Sequence, residues 1–382
     1  MPDVIRLLRD LVAIDSVNPT LVPDAGGEAF IADRVADELR RAGLDVSVQE
    51  AAPGRPNVIG VLEGRKEGKT LMLCGHLDTV GVLGMAAPFD PVQRDGRLYG
   101  RGAQDMKGGL AAMIDAAAGI ARDGSLAAGR LIVAAVADEE ALSIGAEALV
   151  QQWRADAAVV GEPTGLEIAI GHKGFVWLEV VTEGVAAHGS RPAEGRDAIA
   201  HVGRVLGELE GLERRLRSRP GHPLMGQGSL HASFVSGGRE WSTYPDRCSL
   251  RYERRTLPGE DGPGALAEVE AILDHLRAAD SGFRATARLD FERPPYETPP
   301  GHPLPALVEE CLGRPARRSA MSYWTDAGIL GPGGIPCVVF GPGGAGLHST
   351  EEYVLIEEVL ACRDTFTRLT RRFCEGTFIR GS

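Results

Sequence analysis

A chain of 382 residues with 43% hydrophobic and 25% charged residues has the composition of a folded globular protein, and its length favours two domains over one. Its formal net charge of -12 argues against nucleic acid or an anionic membrane as partner, since either requires clustered Lys and Arg. Cys74, Cys248, Cys311, Cys337, Cys362 and Cys374 form no Cys-x-x-Cys pair, and neither a leader-type segment nor a run of about eighteen apolar residues occurs, so buried thiols and a cytoplasmic location are expected.

Residues 4–12 place Ile5, Leu8 and Val12 at helical intervals, and a longer helix is predicted over 28–41, stopped by Gly43. Strands follow at 45–49, 57–63 and 71–74. Residues 81–102, rich in Gly and Pro, read as a loop before an alanine-rich helix over 107–122 and a buried strand over 129–137. Val159-Val160-Gly161 ends another apolar run. Strands alternating with helices predict an α/β layer with helices on both faces.

The pattern changes near Lys173-Gly174. It becomes strand (175–182), helix (198–216), two strands (229–235, 247–254), helix (264–277) and strand (284–290), the βαββαβ order of ferredoxin-like domains. Residues 174–290 are therefore expected to form a domain inserted between outer segments 1–173 and 291–382. A helix over 304–312, a strand over 336–341 and a helix over 356–373 are predicted to complete the outer layer.

Chemistry gathers where these strands end. In Gly75-His76-Leu77-Asp78-Thr79-Val80, positions i and i+2 face the same way, so His76 can offer one ring nitrogen to a metal while Asp78 accepts a hydrogen bond from the other. Asp105 precedes a helix in Asp105-Met106-Lys107-Gly108-Gly109, where a simple N-cap is the rival reading. Glu139 and Glu140 follow a buried strand, as does Glu162 in Gly161-Glu162-Pro163-Thr164, and His348 follows the glycine-rich loop 341–346. Open α/β sheets bind ligands beyond the carboxyl ends of their strands, where all these residues are expected to meet. Hard oxygens mixed with imidazole suit zinc and are compatible with cobalt or manganese. Two metals about 3.5 Å apart, each with one histidine and one glutamate and sharing one aspartate, form the arrangement of aminopeptidase-type hydrolysis. One of the paired glutamates is left over as a general base.

These motifs, in this order and with Gly100-Arg101-Gly102 and Gly341-Pro342-Gly343, resemble the metallopeptidase and deacylase family of acetylornithine deacetylase, succinyl-diaminopimelate desuccinylase, aminoacylase and glutamate carboxypeptidase. The resemblance implies a di-zinc aminopeptidase-like α/β catalytic domain, 1–173 plus 291–382, with an inserted ferredoxin-like α+β lid and dimerisation domain. It implies two Zn2+, with Co2+ or Mn2+ as substitutes: His76, Asp105 and Glu162 on one, Asp105, Glu140 and His348 on the other. Glu139 is implied as the base that activates the bridging water and then protonates the leaving amine, and the peptide after Asp105 as cis.

In the inserted region, Ala187-His188-Gly189-Ser190 resembles the lid motif whose histidine stabilises the oxyanion in the partner subunit of a homodimer. Arg255 matches the arginine that grips the substrate carboxylate, a task suited to a bidentate guanidinium. Where many relatives carry an asparagine, this chain has Ser242. Tyr323-Trp324-Thr325-Asp326 resembles a segment near the site. Loop 341–346 also has the look of a dinucleotide fingerprint, but its place near the C-terminus disfavours that. The expected activity is amide hydrolysis of an N-acyl amino acid. The alternatives are a dipeptidase or glutamate-carboxypeptidase-like exopeptidase acting on short peptides and, from another class, a non-catalytic metal-binding homologue.

Overall fold

The computed structural model describes residues 3–82 and 84–376. Residues 1, 2, 83 and 377–382 of the expected outer segments lie outside the described residues. The chain divides into two compact units, one holding Met1–Gly171, Thr298–Ala320 and Thr325–Ser382, the other His172–Glu297 and Met321–Trp324.

The first unit is built on a mixed sheet whose strands run in the order Asp45–Ala52, Arg55–Glu63, Arg130–Val136, Thr70–His76, Ala157–Val160, Cys337–Val339 and Ile168–His172. Thr70–His76 is parallel to both neighbours, and Cys337–Val339 is parallel to Ala157–Val160. Leu71, Leu73, Leu131, Val133, Ala157 and Val159 pack with residues of helices Asp3–Val12, Ala29–Arg41, Gly108–Asp123 and Ile356–Cys374. The alternate residues Met72, Cys74, Ile132, Ala134, Ala158 and Val160 are buried as well. Strands covered on both faces have no polar face to show, so they read as unbroken apolar runs. Register places His76 opposite Val136 and Cys74 opposite Val160, so the chain leaves these parallel strands along one edge.

Helix Ala29–Arg41 ends as the sequence predicts. Gly43 N donates to Arg40 O and Leu44 N to Leu39 O, a Schellman pair that requires the left-handed φ of 91° at Gly43. The predicted loop 81–102 is corrected in part. Val92–Arg94 and Arg97–Tyr99 join Tyr353–Leu355 and Gly344–Ala345 in a small antiparallel sheet, pairing Tyr99 with Tyr353 and Gly344 with Val354. Strands of two or three residues carry too few side chains for a period-two pattern.

The second unit is a four-stranded antiparallel sheet in the order Ser229–Gly237, Arg247–Thr256, Gly174–Glu183, Arg284–Arg293. Helices Ala198–Ser218 and Gly262–Ala279 complete the ferredoxin-like βαββαβ order. Asp197 and Asp261 cap them, accepting from Ala200 N at 3.0 Å and Gly264 N at 2.8 Å. Val176, Leu178 and Val180 pack with Val202, Val205, Leu209, Val269 and Leu273.

On the sheet's strands, Glu179 accepts from Ser249 Oγ at 2.6 Å, Arg288 Nε at 2.8 Å and Arg251 Nε at 3.3 Å. These donors, Ser249 foremost, hold its carboxyl down at about 2 against the upward push of burial, with the arginines adding to the effect. A carboxyl depressed in the folded state stabilises above its unfolded pKa and loses that contribution as pH falls through the folded value. Glu179→Gln is therefore expected to destabilise at neutral pH, with the gap to wild type closing as pH falls from 4.5 toward about 2. Urea unfolding midpoints across that range check this, and a gap independent of pH contradicts it.

Candidate metal centre

The predicted residues converge at the strand edge described above. His76, the last residue of its strand, is buried, with Nε2 3.1 Å from Asp105 Oδ1 and 3.8 Å from Glu162 Oε1. His348 Nε2 lies 3.4 Å from Asp105 Oδ2 and 3.2 Å from Glu140 Oε2. Ligand atoms of His76, Asp105 and Glu162 form one candidate metal-holding group, and those of Asp105, Glu140 and His348 form a second; within each, all atoms lie within 4.8 Å of one another. Asp105 is common to both, one oxygen toward each histidine. The Asp105–Met106 peptide is cis.

Electrostatics fit a cation in each group. Glu162 Oε1 and Glu140 Oε1 are buried without a hydrogen-bond partner, a costly state for a carboxylate oxygen that a cation would relieve. Burial raises Glu162 well above the usual carboxylate range, His76 opposes, and the Asp105 and Glu140 charges add to the rise. Burial likewise lifts Glu140 to about 7, with Asp105 adding and His348 opposing. Hydrogen bonds to Asp105 and Glu140 raise His348 to about 10. Burial pushes Asp105 up, yet the His348 and His76 imidazoles together hold it below its ordinary value. Carboxyls and imidazoles raised in this way favour protons that a divalent cation would displace.

Glu139 belongs to neither group. Burial and the Glu162 charge raise its carboxyl well above the usual range, with His76 opposing. Its backbone N–H donates to Asp78 Oδ1 at 3.1 Å, and that of Glu140 to Asp78 Oδ2 at 3.1 Å. This corrects the expected part of Asp78. His76 Nδ1 is 2.9 Å from the backbone carbonyl of Asp78, while the carboxylate stands at 3.6 Å. The ring is oriented by the main chain, and the carboxylate anchors the 139–140 turn instead.

Residues without a motif complete the support. Asn18 Nδ2 donates to Asp78 Oδ2 at 2.7 Å and to Asp138 Oδ1 at 3.0 Å, and Asp138 also accepts from Arg55 at 2.8 Å. Glu352, four residues past His348, is buried and accepts from the Asp105 backbone N–H at 3.1 Å. Nothing in the sequence separates Glu352 from its neighbour Glu351, or Asn18 from a turn residue before Pro19.

Loop 341–346 takes no dinucleotide-binding form, because the chain passes into a β-hairpin rather than a helix: Gly344–Ala345 pairs with Tyr353–Leu355, and Leu355 N donates to Gly343 O at 2.9 Å. In the second unit, His188 is exposed, with Nδ1 2.7 Å from Ser190 Oγ and a β-bridge to Thr243. Ser242 takes part through its carbonyl, accepting from Gly189 N at 2.7 Å. Arg255 donates through Nε to Glu253 at 2.6 Å and lies over the Phe175 ring. Thr325 and Asp326 are buried in the first unit, and Trp324 donates to Pro294 O in the second.

Among known families, residues 72–372 match Peptidase family M20/M25/M40. The chain belongs to this family. Solved structures with the M20 fold agree. A tripeptidase from Staphylococcus aureus subsp. aureus Mu50 superposes with a TM-score of 0.80 at 22% identity, covering 97% of this chain and 98% of that one. A metallo-carboxypeptidase of the M20 family from Sulfolobus solfataricus gives 0.78 at 17%, covering 98% and 99%. The Bacillus subtilis YXEP protein, a dinuclear metal-binding peptidase of the family, gives 0.73 at 16%, covering 97% and 98%. The protein is thus an M20 metallopeptidase or amidohydrolase with candidate ligand groups for two metals. Among the described residues no helix is long and apolar enough to cross a membrane.

Proposed function

We propose that the protein is a two-zinc hydrolase that cuts the amide bond of an N-acyl amino acid. The observation that carries this reading is the sharing of Asp105 by two ligand groups with Glu139 left outside both. Bound zinc, or Co2+ or Mn2+ in its place, supplies charge that polarises the scissile carbonyl and makes water a stronger nucleophile near neutral pH. His76, Asp105 and Glu162 would hold one cation, and Asp105, Glu140 and His348 the other. Glu139 takes the proton from the attacking water and delivers it to the departing amine, one carboxyl acting as base and then as acid. With Nδ1 engaged by Ser190, His188 presents Nε2 as an oxyanion donor to the partner subunit's site. Arg255 pairs with the carboxylate of the leaving amino acid. A homodimer through the second unit is supported by its edge strand Ser229–Gly237, which leaves Phe234 and Val235 exposed.

Cleavage of short peptides is the second reading, favoured by the tripeptidase and carboxypeptidase among similar folds. Both cleave the same bond, so the experiment is a panel of N-acetyl, N-succinyl and N-formyl amino acids beside di- and tripeptides, with zinc or cobalt and with chelator. Metal-dependent release of a free amino acid from an acyl substrate is expected, and faster turnover of peptides selects the second reading. Folded, metal-loaded protein that cleaves nothing sinks both. His188→Ala in the same panel is expected to lower turnover while metal content stays unchanged.

A further inference from the structure

The small antiparallel sheet sets two loops side by side. Arg97–Tyr99 leads directly into Gly100-Arg101-Gly102 and on to Asp105, while Tyr353–Leu355 follows directly on His348, Ser349 and Glu352. Where the loops meet, Arg101 Nη1 donates to Glu352 Oε2 at 2.6 Å, with side chains only 3% and 1% exposed. The same carboxylate accepts the backbone N–H groups of Gly102 at 3.0 Å, Gln104 at 2.9 Å and Asp105 at 3.1 Å. Gly102 offers its N–H from a φ of 78°, a left-handed backbone that glycine adopts without penalty. Arg101 Nη2 reaches the other way, to the carbonyl of Ser349 at 2.9 Å, beside His348.

The two ligand groups depend on this clamp unequally. His76 and Glu162 are fixed by buried strand ends, their side chains 0% and 3% exposed. His348 has a side chain 56% exposed, so packing holds it weakly, and two of the three residues in its group sit on the clamped loops, against Asp105 alone in the other group. We propose that Arg101 and Glu352 are positioning residues for the Asp105–Glu140–His348 group, setting the affinity of the second of two metal ions. This inference rests on the two-metal reading above.

The test uses the full chain, stripped with chelator and titrated with Zn2+ by calorimetry, with turnover of the best panel substrate followed in parallel. Wild type is expected to take two ions. Glu352→Gln keeps an acceptor for Gln104 and Asp105 but turns an amide N–H2 toward Arg101. It should weaken binding of the first ion little, through the shared Asp105, and of the second about 10- to 100-fold. Its kcat at low zinc should fall with KM unchanged and recover as zinc is raised, a rescue that general loosening of the fold does not give. Arg101→Lys keeps the buried charge but loses the forked reach to Ser349, so it should weaken the same step less; it decides the matter if Glu352→Gln does not fold. Both steps unchanged, or both weakened alike, overturns the clamp while leaving the two-metal reading intact. A wild type that takes fewer than two ions overturns both.

Discussion

Glu139→Gln is expected to lower kcat by roughly 10²- to 10⁴-fold, the usual worth of a general acid–base group, while metal stoichiometry stays at the wild-type level. The reason is the division of labour along one turn. Asp78 fixes the main chain of both Glu139 and Glu140, but only Glu140 enters a ligand group, and Glu139, half-buried, is left outside both. Burial and the neighbouring Glu162 charge strengthen it as a proton acceptor, with His76 opposing. Glutamine matches its shape and cannot take up the proton. Glu140→Gln is the contrasting variant, since it should weaken metal binding itself. Steady-state kinetics on metal-analysed protein separates the two, and a loss of less than about tenfold for Glu139→Gln removes it from the role of base.

The meeting of the candidate ligands in two groups was legible because chemistry and topology agree. Parallel strands buried on both faces announce themselves as apolar runs, and a polar residue just beyond such a run lies on the edge where open sheets bind ligands. His76, Glu140 and Glu162 are of this kind, and the βαββαβ order of the second unit was plain from its two long helices and four long strands. Orientation was not legible. The pairing of His76 with Asp78 assumed that an i, i+2 carboxylate reaches the ring, whereas the chain turns after His76 and presents the Asp78 carbonyl instead. Glu352 and Asn18 were silent because their partners lie far away in sequence and no local pattern marks a side chain that holds such distant groups. The small sheet that carries the clamp was hidden for the same reason, with strands too short to show alternation and pairings that join residues near 98 to residues near 354.

Asp105→Ala should abolish the stabilisation of the folded protein by zinc, because Asp105 alone belongs to both ligand groups. Each site occupied at about 100 times its dissociation constant contributes about 2.7 kcal/mol, so two independent sites give wild type about 5 kcal/mol that chelator removes. In the metal-free protein the substitution has opposing consequences. It deprives His76 and His348 of an acceptor at 3.1 and 3.4 Å, yet it also withdraws one carboxylate from a crowd in which Asp105 raises both Glu140 and Glu162. Metal-free wild type and variant are therefore expected to melt close together, and the difference should open only when zinc is added. His76→Ala, which touches one group, should keep about half of the zinc effect. Thermal unfolding of the three proteins with zinc and with chelator measures this, and a zinc-dependent shift of wild-type size in Asp105→Ala would place the bridging carboxylate elsewhere.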